Sequence, residues 1–171
     1  MPWLGAQPGL TDHIDELPTS RYGLGGMYLN ISTPVKLDKL AARYTMTMRA
    51  QVSMDTLYST EQFAIGGRYT VRGFDGAQTL SAENGILIRN ELGIPLKKLN
   101  SEIYIGLDAG YVWGPSAQYL LGSKLVGTTL GIRGVALKQL QYDAFMGTPL
   151  YKPRGFKTAK AAFGFNLYLN F

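Results

Sequence analysis

The sequence predicts an all-β, antiparallel protein, either a two-sheet sandwich or the wall of a transmembrane β-barrel. Three observations predict it. Seven segments alternate apolar and polar residues with a period of two, the mark of strands with two unlike faces. The 171 residues include 21 Gly, 11 Tyr and 7 Phe, a composition suited to strands joined by many turns. Charged residues make up 17%, below the roughly one quarter of a soluble domain. No run approaches the ~20 apolar residues of a membrane helix, and a chain that spans lipid without helices must satisfy its backbone in a closed barrel.

The first segment, 22–34, sets Met27, Leu29 and Ile31 against Tyr28, Asn30 and Ser32. A connector over Pro34–Asp38 leads to 39–54, where Leu40, Ala42, Tyr44, Met46, Met48, Ala50, Val52 and Met54 oppose Ala41, Arg43, Thr45, Thr47, Arg49, Gln51 and Ser53. That run is longer than the ~5–6 residues of a soluble strand and suits the ~9–11 of a tilted membrane strand. In 86–96, Ile86, Ile88, Leu92, Ile94 and Leu96 share a face, with Asn90 as a polar interruption. In 102–113, Ile103, Ile105, Leu107, Ala109, Tyr111 and Trp113 oppose Glu102, Tyr104, Gly106, Asp108 and Gly110. Segments 124–133 and 138–150 repeat the pattern, and 161–171 ends it with Phe163, Phe165, Leu167, Leu169 and Phe171 on one side. Alternation fits both architectures; strand length and repetition favour the barrel. In a barrel the polar face, with Arg43, Arg49, Arg89, Glu91, Asp108, Arg133 and Asp143, lines a wet lumen, and Tyr111, Trp113 and Phe171 sit at the bilayer interfaces.

Residues 57–84 form a long Gly-rich loop; loops beyond ~12–15 residues usually carry function or are disordered. No linker divides the chain. Residues 1–21 read as an N-terminal loop or irregular segment, and 22–171 as barrel wall with the loop 57–84 inserted. The start, Met1-Pro2-Trp3-Leu4-Gly5-Ala6, is not a signal peptide, so the expectation is a chain whose upstream residues are missing.

Several function classes fall away. The net charge of +5 comes from scattered Lys and Arg with no basic-aromatic module, so no nucleic-acid partner is expected. There is no Cys, and His13, beside Asp12, Asp15 and Glu16, is the single His, which leaves no catalytic residues and no metal site. Gly66-Gly67 and Gly25-Gly26 precede no Gly-Lys-Ser/Thr, so no nucleotide or other cofactor is expected. The chain reads as no enzyme.

The loop contains Glu61-Gln62-Phe63-Ala64-Ile65-Gly66-Gly67-Arg68-Tyr69-Thr70-Val71-Arg72-Gly73-Phe74-Asp75-Gly76, followed by Asn84-Gly85 and Arg89-Asn90-Glu91-Leu92. This resembles the sixth-loop motif of the two-partner secretion outer-membrane transporters, the haemolysin secretion/activation family. Their superfamily, with the outer-membrane assembly insertases, shares the core Val71-Arg72-Gly73-Phe74. The resemblance implies a barrel of about sixteen strands, of which this chain is the C-terminal portion, two strands before the loop and five after it. It implies a loop folded into the lumen, with Arg72 meeting the wall carboxylate Asp108 in Ile105-Gly106-Leu107-Asp108-Ala109-Gly110. Alternation alone also turns Asp108 inward. The site then comprises Val71, Arg72, Gly73, Phe74 and Asp75, with Asp108 as partner.

The ending, with Leu167, Leu169 and Phe171, resembles the signal read by the barrel-assembly machinery. The implied function is a pore in the Gram-negative outer membrane, exporting a large adhesin or haemolysin that carries an N-terminal secretion domain. Its other partners would be membrane lipid and the assembly machinery. The alternative is an assembly insertase of the same superfamily. A seven-strand segment by itself has two open edges, which lipid does not tolerate, so activity is expected only of a complete barrel.

Overall fold

A computed structural model describes residues 21–38, 40–136 and 139–170. Among them, seven long strands form one sheet: β1 (Leu24–Leu37), β2 (Leu40–Ser53), β5 (Asn84–Leu96), β6 (Ser101–Trp113), β7 (Lys124–Ala136), β8 (Leu140–Tyr151) and β9 (Ala162–Leu169). They pair in that order, each antiparallel to the next. The short strands β3 (Phe63–Ile65) and β4 (Leu80–Ala82) make a hairpin within the long loop. His13 and its acidic neighbours, the N-terminal segment and Phe171 lie outside the described residues.

Strand length follows the membrane rather than a soluble core. Strands β5, β6 and β7 have 13 residues each. At about 3.3 Å per residue and a tilt of about 45°, such a strand crosses about 30 Å, the thickness of a hydrocarbon core. Strand β1 runs further than expected: Pro34 pairs with Arg43 and Lys36 with Ala41, so the first turn falls after Leu37 and not over Pro34–Asp38. A proline removes only its own N–H from a ladder, and the pairs on either side carry the strand through.

Burial is inverted relative to a sandwich. Along β6, Ile103, Ile105 and Leu107 are exposed, whereas Glu102, Tyr104, Gly106, Asp108 and Gly110 are buried. Strand β9 likewise exposes Phe163, Phe165, Leu167 and Leu169 and buries Ala162 and Gly164. Apolar side chains thus cover the outer face over most of the sheet, the arrangement of a barrel wall and not of a sandwich. The polar Asn90 on that face has partners: the Tyr44 hydroxyl donates to its Oδ1 at 2.7 Å, and its Nδ2 donates to the Leu107 carbonyl at 3.3 Å.

Connections differ at the two ends. Short turns join β1 to β2, β5 to β6 and β7 to β8, while the loops after β2, β6 and β8 are longer. Transmembrane barrels keep short turns on the periplasmic side and long loops outside. Tyr111 and Trp113 stack at the long-loop end of β6, with ring centroids 5.3 Å apart. There the loop between β2 and β5 folds back over the inner face of the sheet. Phe63, Ile65, Val71, Phe74, Leu80 and Ala82 from the loop pack with Leu87, Val112 and Leu125 of the wall and Phe156 of the β8–β9 connection. A uniformly wet inner wall is therefore a poor description: where the loop lies, buried apolar side chains cover the inner face of the sheet.

Candidate functional site

The loop reaches the wall through Val71-Arg72-Gly73-Phe74, all buried. Gly73 has φ +113°, a backbone conformation that favours glycine. Its Cβ would also meet the Thr148 carbonyl oxygen of β8 at 2.5 Å. The wall answers with glycines of its own. A Cβ on Gly127 of β7 would collide with the Arg72 carbonyl, and one on Gly147 of β8 would lie 2.6 Å from the Gly73 nitrogen. The tip thus lies backbone to backbone on the wall. At this level the β7–β8 register shifts between Val126 and Gly127, a bulge of the kind that re-aims a strand.

Arg72 is 1% exposed and Asp108 0%. Arg72 Nε donates to Asp108 Oδ2 at 2.7 Å and Nη2 to Oδ1 at 2.7 Å, the paired fork that guanidinium and carboxylate geometry permits. The Arg72 backbone N–H also donates to Oδ2, at 3.0 Å. Arg72 Nη1 donates to Glu91 of β5. Burial opposes the charge on Arg72, but hydrogen bonds and attraction from Asp108 and Glu91 outweigh it and raise its pKa above the ordinary value, so it remains a cation.

The network continues toward the short-turn end. Arg133 of β7 donates through Nη1 to Glu91 Oε2 at 2.7 Å, and through Nε and Nη2 to Glu102 Oε1 at 2.9 and 2.6 Å. Its guanidinium carbon lies 4.6 Å from the Tyr104 ring centroid. The Tyr104 hydroxyl donates to Asp143 Oδ1 at 2.7 Å. Arg43 stands 3.8 Å from Glu102, and Arg89 stands 3.7 Å from Asp108 Oδ2.

Phe74 and Asp75 tie the loop to the β8–β9 connection. Phe74 meets Phe156 edge to face, centroids 5.8 Å apart. Asp75 accepts from the Ala159 N–H at 2.9 Å, the Ala77 N–H at 3.0 Å and the Thr158 hydroxyl at 3.1 Å. The N–H donors of Ala77 and Ala159 hold its carboxyl below the ordinary carboxylate range. Beside it, the Lys157 N–H donates to Gln78 Oε1 at 2.7 Å. At the loop's other root, Glu83 accepts from the Ser116 N–H at 3.1 Å and from the Ser116 hydroxyl.

The structure brings together Val71, Arg72, Gly73, Phe74, Asp75 and Asp108. Leu167 and Leu169 stand apart, exposed on the outer face. Sequence reasoning missed Glu91 as a second partner of Arg72, Arg133 behind it, and the anchors Phe156, Thr158 and Ala159. Glu91 carried a signal, since it shares the inward face of β5 with Arg89, the residue paired across the ladder with Asp108. Phe156 and Thr158 carried none, lying in a connection with no alternation.

The chain matches the family described as haemolysin secretion/activation protein ShlB/FhaC/HecB over residues 1–134. It is 38% identical to the outer membrane transporter CdiB-2 of Burkholderia pseudomallei (strain 1026b) over 172 residues, covering 99% of this chain and 29% of the relative. It is 32% identical to the outer membrane transporter CdiB of Escherichia coli, covering 77% of this chain and 22% of that protein. Among solved structures it superposes on CdiB from Escherichia coli with a TM-score of 0.81 at 25% identity, over 99% of this chain and 31% of that one. It superposes on CdiB from Acinetobacter baumannii with a TM-score of 0.76 at 33% identity, over 87% and 27%. The chain therefore spans less than a third of the length of these relatives. Its inverted burial, antiparallel wall and clamped loop accord with these likenesses, and the chain belongs to the ShlB/FhaC/HecB family of haemolysin secretion/activation proteins.

Proposed function

We propose that the complete protein is an outer-membrane translocation pore that exports a large partner exoprotein, an adhesin or haemolysin with an N-terminal secretion domain, by two-partner secretion. The observation that carries this reading is Arg72, buried at the tip of a loop that lies on the inner face of the sheet and clamped to wall carboxylates. The clamp holds the loop in one position, and an unfolded chain passes when the tip leaves. No residue of the loop or wall is assigned bond-making chemistry. Leu167, Leu169 and Phe171 serve as the segment that the barrel-assembly machinery recognises, and the apolar outer face meets membrane lipid.

The test is to delete the gene for the complete protein and follow the candidate exoprotein by surface labelling and fractionation. Accumulation in the periplasm, reversed by complementation, is the expected result. Equal surface labelling with and without the gene would refute the pore.

A further inference from the structure

Arg89 of β5 has an unusual position. It is the direct ladder partner of Asp108, and its Nε stands 3.7 Å from Asp108 Oδ2. That nitrogen is buried and has no hydrogen-bond partner. The oxygen it faces is already taken by two donors of Arg72, Nε at 2.7 Å and the backbone N–H at 3.0 Å. An inward movement of about 1 Å would turn the 3.7 Å approach into an ordinary charge-assisted hydrogen bond. Arg89 is thus a cation held next to an occupied carboxylate, and it has little else to hold: its Nη1 reaches the Tyr69 carbonyl at 3.5 Å and its Nη2 lies 3.8 Å from Glu91.

The charges of the wall fit this position. Around the tip, the ion pairs of the wall join Arg43, Arg89 and Arg133 to Glu91, Glu102 and Asp108, and the Tyr104 hydroxyl holds Asp143 beside them. Arg72 is a fourth cation that arrives with the loop. Without it, Arg133 still holds Glu91 and Glu102 at 2.7 and 2.6 Å, whereas the cation left beside Asp108 among the described residues is Arg89, at 3.7 Å.

We propose that Arg89 is a positioning residue that takes over Asp108 when Arg72 withdraws, exchanging one ion pair for another so that the carboxylate stays paired while a chain passes. The inference rests on the pore reading given above. With the tip docked, Arg89 contributes little and stands as a like charge beside Arg72. With the tip withdrawn, it occupies the carboxylate, which otherwise would face the lumen as a bare anion able to hold cationic side chains of the passing polypeptide. Arg89 therefore favours the open arrangement, whereas a residue that only braced the wall would favour the closed one.

The experiment uses the full-length protein in planar lipid bilayers, comparing opening frequency in wild type, Arg89→Ala, Arg89→Lys and Arg72→Ala. Arg89→Ala should open about tenfold less often, the effect of losing one charge-assisted hydrogen bond in the open state. Arg89→Lys should recover part of that loss, since an ammonium can still reach one carboxylate oxygen. Openings by Arg89→Ala as frequent as wild type, or more frequent, would overturn the exchange while leaving the pore intact. Absence of openings in both wild type and Arg72→Ala would overturn the pore reading and the exchange with it. A second measurement uses the heat-modifiable gel shift of the folded barrel. Arg72→Ala should keep the shift because Arg89 covers Asp108, and Arg72→Ala/Arg89→Ala should lose part of it; equal shifts would count against the exchange.

Discussion

Arg72 and Asp108 meet at three points: Nε to Oδ2 at 2.7 Å, Nη2 to Oδ1 at 2.7 Å, and the Arg72 backbone N–H to Oδ2 at 3.0 Å. Side chain and main chain converge on one carboxylate, so the contact fixes the orientation of the loop tip as well as its position. A desolvated pair gains little net stability, because removing both charges from water offsets much of their attraction. The contact is better understood as a register mark for the loop.

In the complete protein, Arg72→Ala and Asp108→Ala should accordingly reduce export of the partner by about tenfold or more, the scale of losing a fork of charge-assisted hydrogen bonds. A tip with no docking point on the wall stays astray in the conduit instead of moving between one docked and one withdrawn position, while membrane insertion stays largely intact. Arg72→Lys should restore little, because an ammonium cannot present two parallel donors. Secretion assays beside heat-modifiable mobility separate the two effects, and full secretion by the alanine variants would remove the role given to the pair.

Gly127→Ala should act on the loop without touching any charge. The new methyl group would occupy the position of the Arg72 carbonyl, which is backbone and cannot swing aside. Overpacking of this kind costs about 1–3 kcal/mol. Gly73→Ala adds backbone strain at φ +113° to a similar collision. Both variants should increase protease cleavage within the loop on intact cells; protection equal to wild type would show that the tip tolerates the displacement.

Arg133→Ala should be more damaging than Arg43→Ala. Arg133 holds Glu91 and Glu102 together and is one-third exposed; its loss leaves Glu91 with Arg72 but takes from Glu102 its one short ion pair, at about 1–2 kcal/mol. Arg43 approaches Glu102 only at 3.8 Å and is 60% exposed, which places its removal within about 0.5 kcal/mol. Urea unfolding of the purified barrel measures both; equal midpoints would contradict this ordering.

Asp75 should make loop anchoring sensitive to acid. Its carboxyl is held below the ordinary range by N–H donors that need the anion. A depressed value contributes stability above the free carboxylate pKa of about 4, lost as pH falls through the docked value. Protease protection of the loop should be full at neutral pH and decline in strong acid, and Asp75→Asn should flatten that decline. An unchanged acid profile in Asp75→Asn would assign the sensitivity elsewhere.

The sequence by itself determined the strands, their inward and outward faces, the long loop and the inward aim of Asp108. Alternation is local: each residue's face follows from its neighbours two positions away. Tertiary structure alone decided that Glu91 is the second partner of Arg72, that Arg133 stands behind it, and that Phe156, Thr158 and Ala159 receive the loop. Those contacts depend on ladder register and on where the loop between β2 and β5 re-enters the bore. Neither is set by a short-range pattern: Asp75 and Ala159 meet across 84 positions of sequence, in segments with no periodicity to align them.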